Sequence, residues 1–392
     1  MYSAKSYINR GMTFLNNRWF PRRKKLSTLM IYGTDLCDSA CKHCLIWTKR
    51  PVNYLPFDKI KEIMNSRCVT KKTNVGLEGG EFLLHPDAMD IMAWFKKNHP
   101  NFDLLTNALK PEAVIEAVER NPPQRLFISV DGDRDSYLHM RGKDGYDGII
   151  KVLEQTHKKL PISLMFTLSP YNDFGDMQHV AEVATRFGLD MRIGVYNDIA
   201  FFDTIETAHY NDIGSLKSEE ILSYSNAKKL IDSKSGSTET LAPPAVTKDQ
   251  LIRIRERIPE IVETFPENFD FLVLYDEWRR GGLQLNCNSI LDSLVVLPNG
   301  DVPICQNLNV MIGNVFTNTL DEVFNGPEAV KQQKHYSKNC NACWINFHRK
   351  YDVILYRTFE KYFGRFATRK LLGQYWWEKE KEKSYRQLMR EK

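Results

Sequence analysis

Residues Thr28–Trp47 read TLMIYGTDLCDSACKHCLIW: a short apolar run, Thr28–Thr34, followed at once by Cys37, Cys41 and Cys44. The run reads as a β-strand, and the C-x3-C-x2-C spacing lets the loop after it fold around a single metal centre. Structural zinc takes four ligands, and no fourth cysteine lies nearby. His43 is adjacent to Cys44 and poorly placed to share the same ion. Three thiolates suit a [4Fe–4S] cube that keeps one iron open to a substrate or cofactor.

Outward from that loop, apolar runs alternate with helical stretches. Strands are expected at Thr28–Thr34, Asn74–Glu78, Phe102–Thr106, Arg125–Val130, Ile162–Leu168 and Leu189–Tyr196. Helices are expected at Phe57–Ser66, Pro86–Lys97, Pro111–Arg120, Tyr146–Lys158 and Asp176–Phe187, with Gly188 as a C-terminal cap. Six alternating units imply an α/β fold of parallel strands with right-handed crossovers, either most of a barrel or an open doubly wound sheet. The rhythm breaks after residue 200. Lys234–Pro244 reads as a linker, and Thr247–Phe265 as an amphipathic helix.

A second cysteine group lies near the other end. Cys287 and Cys305 frame Cys-x12-Gly-x4-Cys, with a hairpin expected at Ser293–Leu297 and Val302–Cys305 around Asn299–Gly300, and Cys340 and Cys343 form a C-x2-C pair. Four thiolates suit zinc or a second iron–sulfur cluster. Cys68 stands apart and reads as a small buried residue.

The first cysteine loop, placed just after strand one, resembles the signature of the radical S-adenosylmethionine enzymes, with His43 where that family often carries Tyr or Phe. Gly79–Gly80–Glu81 resembles the family's Gly-Gly-Glu stretch, which helps bind the cofactor's amino group. By the same resemblance Thr106, Asn107, Ser129, Asp131, Arg141 and Arg192 fall at cofactor- or substrate-facing positions, with Tyr196 a further substrate neighbour. The later cysteines resemble the SPASM domain and its shortened form, Twitch, which implies one auxiliary [4Fe–4S] cluster held by Cys287, Cys305, Cys340 and Cys343.

The resemblance implies a partial (β/α)6 barrel followed by a small α+β auxiliary-cluster domain and C-terminal helices. The divisions expected are a basic extension (1–27), the barrel (28–200), a connecting region (201–285), the auxiliary-cluster domain (286–348) and basic amphipathic helices (349–392). It also implies an oxidoreductase that cleaves S-adenosylmethionine reductively to a 5′-deoxyadenosyl radical, abstracts hydrogen from a C–H bond and hands an electron to the auxiliary cluster. A small molecule (a sugar, lipid or cofactor intermediate) is the expected substrate. The alternatives are a peptide or protein maturase with the same chemistry and a non-catalytic iron–sulfur or zinc protein. A low-potential electron donor such as flavodoxin or ferredoxin is implied.

Composition agrees with a folded chain: 42% of the 392 residues are hydrophobic and 26% charged, which argues against wholesale disorder. No run approaches the ~18 apolar residues of a membrane span, and no secretory signal is visible, so a cytoplasmic location is expected. The net charge of +5 is uneven, with +7 on residues 1–27, +7 on 349–392 and −9 between. Basic ends with Phe359, Phe363 and Phe366 at near-helical spacing suit an anionic membrane surface or partner, although such a stripe more often packs on its own protein, here against the barrel bottom. No nucleic-acid motif is present.

Overall fold

The computed structural model describes residues 4–44, 46–169, 171–195, 283–306, 310–340, 343–373 and 375–377, with Ile261, Thr264, Phe265, Phe271, Leu272 and Leu274 between them. Tyr196, the 234–244 linker and most of the 247–265 helix fall outside the described residues.

Six strands, β1 (Thr28–Thr34), β2 (Asn74–Gly79), β3 (Phe102–Thr106), β4 (Arg125–Ser129), β5 (Ile162–Leu168) and β6 (Asp190–Val195), pair in parallel in chain order. Alternation along each strand sorts the side chains. On β2, Val75 and Leu77 are fully buried, whereas Asn74, Gly76 and Glu78 line an interior cavity. On β1, Leu29 and Ile31 are likewise buried, and Thr28, Met30 and Tyr32 line the cavity. Burying each such Leu or Ile contributes about 1.5–3 kcal/mol, so a one-residue slip would be heavily penalised.

After an α1 helix (Ala4–Trp19), the barrel helices are α2 (Phe57–Met64), α3 (Ala88–Asn98), α4 (Pro111–Arg120), α5 (Arg134–Arg141), α6 (Tyr146–Thr156) and α7 (Phe174–Phe187). Pro111 occupies the first turn of α4, and Gly188 caps α7 at φ +67°. Pro86 instead precedes α3, which starts two residues later with Asp87 before it.

The second cysteine segment joins the barrel directly. Its strand β8 (Ser293–Val296), which follows the short β7 (Leu283–Gln284), pairs in parallel with β1 and makes a seventh strand. The expected hairpin is therefore corrected. The turn forms, with Leu297 N–H donating to Asp301 and Gly300 N–H to Leu297, but β9 (Asp301–Pro303) takes its ladder partner from β10 (Met311–Asn314). Beyond them come α8 (Leu320–Asn325), α9 (Pro327–Asn339), α10 (Asn346–Leu372, broken at Gly364) and β11 (Trp376–Trp377), which pairs with β7.

The sheet ends at β6 and β8, and the start of α10 lies at the β6 edge. Asn346 donates to the Ile193 carbonyl at 2.8 Å, and Ile345, Asn346 and Tyr351 line the cavity. This cover blunts an exposed strand edge. The basic N-terminal segment is structured as α1: Phe14 is buried, Arg10 pairs with Asp292 at 3.3 Å, and Asn17 donates to Lys25 and Leu291. At the far end of α10, Tyr362, Phe363 and Phe366 are exposed rather than packed against the barrel. Among the described residues no helix is long and apolar enough to cross a membrane.

Candidate active site

A cavity of about 440 Å³ occupies the barrel interior, and Cys37, Cys41, Cys44 and His43 line one end of it. The loop that carries them leaves the C-terminal end of β1. Where it starts, the chain runs so close to the end of β2 that only glycine fits: a Cβ on Gly80 would stand 2.2 Å from the Leu36 carbonyl oxygen, and one on Gly79 (φ +137°) 2.5 Å from that of Thr34. Gly80 N–H donates to Thr34 and Glu81 N–H to Leu36, both at 2.8 Å. The two glycines thus anchor the cysteine loop and line the cavity.

Glu81 does not line it. Its carboxylate accepts from the Thr106 hydroxyl at 3.0 Å and the Asn107 N–H at 2.7 Å, tying the end of β3 to β2. Burial pushes this carboxyl up to about 7, against the pull of those donors. In this arrangement the carboxylate clamps the ends of β2 and β3 together. Thr106 also accepts from Ala108 N–H, and Asn107 reaches Asp38 at 2.9 Å and the Cys37 sulfur at 3.9 Å, so both brace the loop.

Ser129 and Arg192 line the cavity, but Asp131, two residues beyond Ser129, is fully buried and absent from its wall. Asp131 accepts from Arg141 Nε at 2.6 Å and from Thr167 N–H at 2.9 Å. Arg141, held this way, points a second nitrogen at the Cys41 sulfur, 3.6 Å away. The Ser39 hydroxyl lies 3.0 Å from the same sulfur. Arg192 pairs with Asp190 at 2.6 Å. His43 faces the cavity with its Nδ1 unpartnered, and burial lowers its pKa to about 4, so its ring is neutral at pH 7.

The second cysteine group closes around its own small cavity. Cys287, Cys305, Cys340 and Cys343 line it together with Ile290, Ile304, Tyr336, His348 and Arg349. Arg349 is fully buried there, donating to the carbonyls of Cys343 at 2.9 Å and Leu285 at 3.2 Å. Cys68 is buried elsewhere, beside Asp321.

Residues 31–184 match the Radical SAM superfamily, and residues 287–344 match SPASM, an iron–sulfur cluster-binding domain. The chain carries a radical SAM domain followed by a SPASM domain. It is accordingly an enzyme whose cofactors are S-adenosylmethionine and [4Fe–4S] clusters. No curated protein matches the sequence. Among solved structures, the chain is similar to Streptococcus suis SuiB bound to S-adenosylmethionine (14% identity, TM-score 0.53, covering 91% of this chain and 80% of that one). It is similar also to SuiB bound to the precursor peptide SuiA (13%, 0.53, 88% and 74%) and to anSMEcpe with AdoMet and the Cp18Cys peptide (13%, 0.52, 88% and 97%). At these identities the likeness is one of fold.

The donor chemistry of this radical SAM chain fits both clusters. Burial raises the thiols of Cys37, Cys287 and Cys343 above the ordinary range, so neither group would hold several bare thiolates. A metal centre resolves that cost, and a buried arginine stands by to balance each anionic assembly: Arg141 at the first, Arg349 at the second.

Several residues on or beside the cavity wall escaped the sequence reading. Asp38 and Ser39 lie inside the cysteine loop, Tyr32 and Glu78 on the inward faces of their strands, and Gln306 donates to the Tyr32 hydroxyl at 2.9 Å from the second cysteine segment. Period-two alternation from Asn74 would have found Glu78; nothing local signals Gln306 or Arg10.

Proposed function

We propose that this chain is a radical SAM oxidoreductase that acts on a polypeptide, with Cys37, Cys41 and Cys44 holding the catalytic cluster and Cys287, Cys305, Cys340 and Cys343 an auxiliary one. Held by Cys37, Cys41 and Cys44, the catalytic cluster would supply the electron for reductive cleavage of S-adenosylmethionine and hydrogen abstraction from substrate, and a cluster held by Cys287, Cys305, Cys340 and Cys343 would take up the electron left on the substrate, for a net two-electron oxidation.

The chain's own residues bind, orient and exclude water. Gly79 and Gly80 let the end of β2 pass close under the cysteine loop, Arg141 and Ser39 stabilise charge at Cys41, and Glu81 with Asn107 fixes the loop. Ser129 and Arg192 face the same space.

The observation that carries the substrate class is the size of the cavity, read beside the two peptide-bound relatives. About 440 Å³ lies in the lower part of the range for a single drug-sized ligand, and the catalytic cluster and S-adenosylmethionine would share it. The space left suits one inserted side chain rather than a large second molecule. Incubating reduced, cluster-loaded enzyme with S-adenosylmethionine and a random peptide library tests this by mass spectrometry. A peptide lighter by two hydrogens supports a polypeptide substrate; turnover confined to sugars, lipids or cofactor precursors returns the small-molecule reading.

A further inference from the structure

Glu78 occupies the lumen one residue before Gly79–Gly80, on the same rung as Tyr32 of β1. Among the described residues its carboxylate accepts no hydrogen bond and forms no ion pair. Of the five other charged side chains on the wall, Arg10 pairs with Asp292 at 3.3 Å, Arg141 with Asp131 at 2.6 Å and Arg192 with Asp190 at 2.6 Å, Asp103 accepts from Asn74 at 2.7 Å, and Lys350 stands near the start of α10 and is itself engaged. An enclosed carboxylate without a donor is costly, and the opening onto the cavity is where a donor can come from.

We propose that Glu78 is the specificity-determining residue of the cavity and that it takes a cationic group of the substrate, the ammonium or guanidinium of a lysine or arginine side chain. This rests on the polypeptide reading above; the residue's part in recognising a cation does not. A charge-assisted hydrogen bond forms with the incoming group, and no covalent step is involved. Burial, with Asp103 of β3 adding to it, pushes the Glu78 carboxyl up to about 8, so at pH 7 it is largely protonated. A cation seated against it lowers that value, and the carboxyl releases its proton as the ligand binds. Tyr32, the titratable neighbour on β1, stays protonated throughout, because burial raises it further from neutrality.

The test is calorimetric titration of the cluster-loaded enzyme with S-adenosylmethionine bound. The probes are acetyl-lysine amide, acetyl-arginine amide, acetyl-norleucine amide and free butylammonium, in buffers of different ionisation enthalpy. The expected result is roughly tenfold tighter binding of the lysine and arginine amides than of the norleucine amide, the size of one charge-assisted hydrogen bond, with proton release. Glu78→Gln abolishes both the preference and the proton release, whereas Glu78→Asp keeps the preference. Equal binding of norleucine and lysine amides by the wild type overturns the assignment whatever the variants do, and so does a preference that survives in Glu78→Gln. Butylammonium binding as tightly as lysine amide leaves Glu78 in place and instead counts against a polypeptide substrate.

Discussion

Arg141 donates to the sulfur of Cys41 across 3.6 Å while its other edge is gripped by Asp131 at 2.6 Å. The cysteine loop after β1 and the end of β4 are thereby joined through one guanidinium. Asp131 is fully buried, so this ion pair has no water to fall back on.

Removing one partner of such a pair leaves an uncompensated buried charge. Arg141→Met should destabilise the cluster-loaded chain by about 3–5 kcal/mol in denaturant titration. The double variant with Asp131→Asn should recover at least half of that loss. A single-variant effect of less than about 1 kcal/mol, the scale of a surface pair, would show that the link is not structural.

Glycine substitutions separate packing from chemistry. Gly80→Ala places a methyl 2.2 Å from the Leu36 carbonyl, so the start of the cysteine loop must move. Reconstituted iron should fall from about eight to about four per chain, with the second cluster intact. Gly11→Ala, in the middle of α1 with nothing within 4 Å of the new methyl, is the control. It should keep all the iron and raise stability by roughly 0.5–1 kcal/mol. Full iron in Gly80→Ala would contradict the loop's dependence on that close approach.

Cys340→Ala acts at the other centre. It should leave about four irons per chain and preserve 5′-deoxyadenosine release, while the two-hydrogen loss from substrate disappears. Substrate oxidation at the wild-type rate would assign the second cluster a structural role.

The parallel barrel was legible because its strands carry strong apolar runs punctuated by helices, and Cys37, Cys41 and Cys44 do meet at one end of the lumen. Other features depend on contacts that spacing does not encode. β8 pairs with β1 from more than 250 residues away, so Ser293–Val296 read as half of a hairpin. In α5, Tyr137, Met140 and Arg141 are the buried residues among eight, too few apolar positions for a periodic signal, although Asp133 capping the Ser136 N–H was a usable cue. Glu81 and Asp131 sit where cofactor contacts were expected, but neighbouring N–H and guanidinium groups claim both carboxylates. The N-terminal end was read from charge alone, which hid Phe14 inside α1, and the C-terminal aromatic spacing left packing and exposure both open, which the exposed Phe363 and Phe366 decide.

The most direct measurement is 5′-deoxyadenosine formation by the anaerobically reconstituted, reduced chain with S-adenosylmethionine, compared with Cys41→Ala. The wild type should release 5′-deoxyadenosine and methionine together, and the variant should release neither while keeping about half the iron. Equal cofactor cleavage by the two would contradict the placement of the radical chemistry at this cysteine loop.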